Sequence, residues 1–152
     1  MIKRFFLPVI LVLISVSLFA QDIQLKDGKY YQDGKLYTGT LKEHYPDGKL
    51  QAERNISQGL PDGISMLYYE NGNPKEQQSY RMGNKDGQWI TWDENHHKTA
   101  EAGYKDNLKD GHWYIWDENG TKRYEMLYDM GVKKGTWTMW DGNGKIVNTK
   151  EY

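Results

Sequence analysis

The sequence predicts an all-β protein: a single-layer antiparallel meander of stacked β-hairpins in 24-residue repeats, preceded by a signal peptide. Three observations predict it. Glycines recur at Gly39, Gly63, Gly87, Gly111 and Gly135, each 24 residues after the last. Every unit holds two turn signals, and the segments between them, about seven residues long, are too short for helices and rich in Trp, Tyr, Ile and Thr. Aromatic residues make up 14% of the 152-residue chain, beside 16 glycines and no cysteine. Rings and turns, without disulfides, must therefore build the structure.

The first element is the leader. Lys3 and Arg4 precede an apolar run from Phe5 to Val16, extended through Leu18 and Phe19 to Ala20. A basic start, a short apolar stretch and a small residue at its end form the pattern of a secretory signal peptide, here residues 1–20. The run is short for a bilayer span, which needs about 20 apolar residues. Export without cysteine fits a bacterial envelope, periplasmic or extracellular, better than a small disulfide-bonded secreted domain. All three phenylalanines (Phe5, Phe6 and Phe19) leave with the leader, so the exported chain has Trp and Tyr as its only large rings.

Residues 21–38 come next, with Asp27-Gly28 and Asp33-Gly34 as turn signals. They read as one more hairpin, out of phase with the repeat, capping its N-terminal end. Five units follow, at 39–62, 63–86, 87–110, 111–134 and 135–152, aligned without a gap. Their third residues are Leu41, Ser65, Trp89, Trp113 and Trp137, and their sixth are His44, Tyr68, Trp92, Trp116 and Trp140. The eighteenth are Ile56, Tyr80, Tyr104, Tyr128 and Tyr152. The ninth and tenth are Asn-Gly or Asp-Gly in four units and Asn95-His96 in the third, the pairs that supply positive φ in tight hairpins.

Each unit is thus two antiparallel strands, and the meander grows by two strands per repeat. Tyr on one strand alternates with Trp on its neighbours, so the rings form a ladder that takes the place of a conventional core. Trp89 and Trp92 are three positions apart: either both faces of the sheet carry rings, or a bulge brings both to one face. The last strand lies at an edge, where Lys150 and Glu151 guard against sheet-to-sheet pairing.

The pattern G-x-W-x-x-W-x-x-N-G followed by E-x-x-Y-x-x-G-x-x-D-G resembles the MORN-repeat variant of bacterial proteins labelled YwqK-type antitoxins. Gly28-Lys29-Tyr30-Tyr31 and Lys35-Leu36-Tyr37-Thr38-Gly39 are similar to the start of such chains. The resemblance covers about 28–152. It implies a single-layer sheet of stacked hairpins and contact with a protein or membrane. Ser65 and Leu41 in place of the first ring, and His96 in place of a turn glycine, depart from the pattern.

Chemistry is thinner. Net charge is −1, which argues against a general nucleic-acid binder, and Lys122-Arg123 and Lys133-Lys134 are too small a cluster for a membrane patch. The four histidines, His44, His96, His97 and His112, fall at different repeat positions. Asp62, Asp86 and Asp110 recur beside Lys85 and Lys109 and invite a calcium reading, which turn chemistry answers equally well. Glu53, Glu101 and Glu125 recur as a solvated face would, not as a carboxylate pair in two distinct environments. The sequence shows no catalytic residue, cofactor site or metal site.

The expected surface for binding is Trp89, Trp92, Trp113, Trp116, Trp137 and Trp140 with Tyr80, Tyr104 and Tyr128. The expected function is a non-enzymatic exported scaffold that binds another protein in the bacterial envelope. Alternatives are a glycan- or peptidoglycan-binding module that stacks sugars on the Trp and Tyr rings, and an antitoxin or immunity-type protein directed at an exported toxin.

Overall fold

The computed structural model describes residues 22–152. The leader expected at 1–20 lies outside the described residues. Fifteen strands run in chain order without a helix among the described residues. The cap holds β1 (Ile23–Lys26), β2 (Lys29–Gln32) and β3 (Lys35–Leu36), which form a separate sheet of order β1-β2-β3.

The repeats begin with β4 (Gly39–His44), β5 (Leu50–Ser57) and β6 (Leu60–Pro61). They continue with β7 (Gly63–Tyr68), β8 (Pro74–Arg81), β9 (Asn84–Lys85), β10 (Gly87–Trp92) and β11 (Lys98–Lys105). Last come β12 (Leu108–Trp116), β13 (Lys122–Asp129), β14 (Val132–Trp140) and β15 (Ile146–Glu151). They form one antiparallel sheet, in which neighbours in sequence are neighbours in space from β4 to β15. β6 and β9 are the lead-ins of β7 and β10, interrupted at Asp62 and Asp86; the same stretch is continuous in β12 and β14.

The two turns of each unit differ in kind. At the second turn both central residues take positive φ: Gln58 (50°) with Gly59 (76°), Met82 (46°) with Gly83 (86°), Asp106 (46°) with Asn107 (68°), Met130 (45°) with Gly131 (88°). This is the signature of the two-residue type I′ hairpin. At the Asn-Gly turn only the second residue does, as in Gly72 (87°) and His96 (68°). There the loop is longer: Asp93 N–H donates to His97 O at 2.9 Å, and His96 N–H to Asp93 O at 3.0 Å. Positive φ at the Asn-Gly pair is thus confined to one residue. The reason lies two residues before the pair, where the Asp93 carboxylate accepts the amides of Asn95 (2.9 Å) and His97 (2.8 Å) and holds the preceding turn right-handed. These amide hydrogen bonds, that of His97 foremost, hold the Asp93 carboxyl below its usual range.

Adjacent units lock through backbone bonds with the repeat period. Gly59, Gly83, Asn107 and Gly131 N–H groups donate to Tyr37, Pro61, Lys85 and Lys109 carbonyls at 2.7, 2.7, 2.9 and 2.7 Å. Beside them Met82 and Met130 N–H groups donate to Asp62 (2.9 Å) and Asp110 (3.0 Å) carboxylates, and Gln58 N–H to Thr38 Oγ1 at 2.9 Å. The recurring aspartates therefore tie each unit to the next one's turn. Tyr37 and Thr38 perform the same two tasks as Pro61 and Asp62, so the end of the cap is in phase with the repeats. The expected capping hairpin is β1 with β2, to which a third short strand, β3, is added, and Tyr37 and Thr38 after it make the bonds to the first unit.

Almost nothing is fully buried. Among the described residues only Tyr37, Ala52, Ile56, Gly59, Ser65 and Tyr128 are buried. A sheet without a second layer leaves both faces in contact with water, and half-burial of long side chains against their neighbours supplies the packing.

Candidate functional site

The two ring positions of the repeat face opposite ways. In β10 the residues alternate, and the register slip between Thr91 and Trp92 places the extra residue, Thr99, in the facing strand β11. Trp89 and Trp92 therefore project to opposite faces. The ring contacts agree with this division.

On one face the rings form an unbroken ladder. Tyr80, Trp89, Tyr104, Trp113, Tyr128, Trp137 and Tyr152 follow one another at centroid distances of 5.3, 5.5, 5.1, 5.5, 5.1 and 4.7 Å. Their planes are inclined by 50–66°: the first three contacts are edge-on, the geometry that ring quadrupoles favour, and the last three are tilted. Each indole N–H donates across the sheet: Trp89 to Ser79 O (3.0 Å), Trp113 to Gly103 O (2.9 Å), Trp137 to Leu127 O (3.1 Å). For Trp113 and Trp137 these acceptors sit where the ladder register slips, between Ala102 and Tyr104 and between Glu125 and Leu127. The indoles thus occupy carbonyls that the strand pairing leaves free. Burial among the rings pushes the Tyr80 and Tyr104 phenols above their usual range. Ser65, in the first-ring position of the second unit, is 1% exposed, and the ladder starts only after it.

A lysine lies against each ladder indole. Lys85 Nζ is 4.0 Å from the Trp89 centroid and 4.9 Å from Tyr104. Lys109 is 4.2 Å from Trp113 and 4.9 Å from Tyr128, and Lys133 is 4.5 Å from Trp137 and 4.7 Å from Tyr152. In the sequence Lys85 and Lys109 stand out only as neighbours of aspartates. The available signal was their place one residue before the unit's end, four residues ahead of the first Trp, an even spacing that puts both on one face of the extended run leading to that ring.

The opposite face carries Trp92, Trp116 and Trp140, all half-buried. Trp92 meets His96 at 6.1 Å, Trp116 meets Tyr114 at 5.7 Å, and His112 stacks on Tyr114 at 5.6 Å. Here the lysines are paired: Lys98 with Glu101 at 2.7 Å, Lys122 with Glu125 at 3.0 Å, Lys42 with Glu53 at 3.2 Å. The recurring glutamates serve these ion pairs. His97 Nδ1 lies 3.2 Å from Asp93, apart from the His96 contact with Trp92. No group of three or more metal-ligating side chains gathers among the described residues.

The nine expected rings are therefore two surfaces: Tyr80, Trp89, Tyr104, Trp113, Tyr128 and Trp137 in the ladder, and Trp92, Trp116 and Trp140 behind it. Fold and surface together define a β-hairpin repeat protein whose chemistry is copied from unit to unit. A family model described as MORN repeat variant matches residues 37–57, 61–82 and 109–130. The three matches begin at the same point of the 24-residue period, on Tyr37, Pro61 and Lys109, the residues whose carbonyls lock adjacent units. Over these three stretches the chain is similar to MORN-variant repeats, and such repeats suggest a repeat-built binding module. No curated protein matches the chain.

Proposed function

We propose that the protein is a non-enzymatic, exported interaction module that binds another protein in the bacterial envelope across its ladder face. One observation carries the reading: aromatic rings, half-buried or exposed apart from the buried Tyr128, and their lysines run continuously over units 87–110, 111–134 and 135–152 on a sheet face with no second layer. Large rigid rings bound by few rotatable bonds are the side chains that contribute most to protein interfaces. The same groups recur in every unit, whereas a catalytic site needs different groups converging on one point. Export rests on the basic-apolar leader pattern of residues 1–20.

Cross-linking of the exported protein in its native envelope tests this. A charge reversal on the ladder face, Lys109→Glu, is expected to abolish the cross-linked partner, while Lys122→Glu on the opposite face leaves it. Equal effects of the two variants would overturn the assignment of the face.

The glycan reading keeps a foothold on the opposite face, where Tyr114, Trp116 and Trp140 are half-buried and separate from the ladder. Quenching of Trp fluorescence by peptidoglycan fragments that disappears in Trp116→Ala, with no protein cross-linked, would favour it.

A further inference from the structure

Lysines on the two faces differ in one respect. Among the described residues Lys42, Lys98 and Lys122, on the opposite face, each have a carboxylate within 3.2 Å. Lys85, Lys109 and Lys133, on the ladder face, have none within 4.0 Å and rest on rings instead. Lys109 and Lys133 are exposed and Lys85 half-buried. A cation over an aromatic face keeps its charge and much of its capacity to donate hydrogen bonds. The row is thus a line of uncompensated charge held in place by the ladder beneath it.

Spacing and surroundings restrict what could complement it. The three lysines occupy the same position in successive units, two strands apart, so they recur about every 9.4–9.8 Å across the sheet. A polyproline II segment repeats about every 9.3 Å, at three residues per turn. Acidic residues at every third position of such a segment would meet the lysines in register. An extended β-strand offers same-face residues about every 6.8 Å and does not match. Half-buried rings between the cations suit the flat sides of such a helix, which binds aromatic-lined surfaces at low entropic cost.

Beside the rings, on the same face, lies an apolar strip. Ile115 and Tyr124 are each 38% exposed, and Tyr124, Met126, Trp137 and Met139 line a groove of about 300 Å³. Adaptable methionines next to a cationic row fit apolar side chains better than sugar hydroxyls. They also distinguish the row from a plain lysine cluster directed at anionic lipid.

We propose that the ladder face binds an acidic polypeptide segment in the polyproline II conformation, lying across the strands with a carboxylate at every third residue on Lys85, Lys109 and Lys133. This rests on the reading of the ladder face as a protein-binding surface and names its ligand class.

The probe is a fluorescent peptide of repeated Glu-Pro-Pro triplets, titrated against the full chain by anisotropy at low and high salt. A peptide of the same composition with its glutamates gathered at one end is the control. Binding of the periodic peptide at least about tenfold tighter than the control, weakened by salt, is the expected result. Each single Lys→Gln change in the row should weaken it about threefold and the triple change about thirtyfold. Lys98→Gln and Lys122→Gln should leave it unchanged. Circular dichroism of the triple variant shows that the sheet remains folded, and Lys→Arg changes, which keep charge and ring stacking, should restore affinity.

Equal binding of the two peptides, or tighter binding of polygalacturonate or phosphatidylglycerol vesicles than of either, overturns the proposal. If neither peptide binds yet Lys109→Glu still abolishes the envelope cross-link, the acidic ligand is wrong and the protein-binding face stands. If Lys109→Glu leaves the cross-link intact, the underlying reading fails as well.

Discussion

Replacing Trp113 by alanine removes several interactions that the structure separates. The ring contacts Tyr104 at 5.1 Å and Tyr128 at 5.5 Å, and each such pair contributes about 0.5–1.5 kcal/mol beyond area burial. Its indole N–H fills the Gly103 carbonyl at 2.9 Å, a hydrogen bond of about 1 kcal/mol. Lys109 lies 4.2 Å from its centroid and adds about 0.5–1 kcal/mol. The ring is half-buried, so the full range of about 3–5 kcal/mol for a core Trp→Ala change is an upper bound, and about 3 kcal/mol is expected. Trp116, in the same strand, is the internal control. It meets Tyr114 at 5.7 Å and Lys98 at 5.6 Å and stands outside the ladder, so Trp116→Ala should cost about 1 kcal/mol. Urea unfolding followed by far-UV circular dichroism measures both. Equal losses for the two variants, or a loss under about 1 kcal/mol for Trp113→Ala, would refute the claim that one face holds the sheet together.

Other expectations concern the backbone. Gly103→Ala should cost about 3 kcal/mol or prevent folding, because a Cβ there would run into the Asp110 carbonyl oxygen; a thermal melt within a few degrees of the parent would contradict this. Asp110→Ala removes the acceptor of the Met130 amide and should cost about 1 kcal/mol. Asp110→Asn, which keeps an acceptor oxygen, should stay within about 0.5 kcal/mol. A large loss with Asn, reversed by added calcium, would revive an ionic role for the aspartate row. His96→Gly should stabilise by about 0.5–1 kcal/mol, since His96 holds φ at 68° where four other units have glycine; denaturant midpoints compare the two directly.

The periodic glycines, the Asn-Gly and Gly turn signals and the alternation of Trp with Tyr determined a hairpin meander and its ring ladder, because each of these is a local requirement: positive φ at a turn, side-chain period in a strand, a ring every 24 residues. The matches to the MORN repeat variant fall on the same period. Which rings share a face was decided by the tertiary structure. It depended on where the register slips, and the slip near Trp92 is placed in β11 by the geometry of the Asp93–His97 loop. The function of the aspartates was likewise hidden, since Asp62 and Asp110 act on amides in the following unit, about 20 residues away. The lysine row was legible only as a recurring position: Lys85, Lys109 and Lys133 stand 24 residues apart in the sequence, and the folded sheet alone shows that they lack carboxylate partners and rest on indoles. Local conformational demands are written residue by residue and can be read there. Pairing and charge compensation belong to residues brought together across strands, and the chain acquires them only on folding.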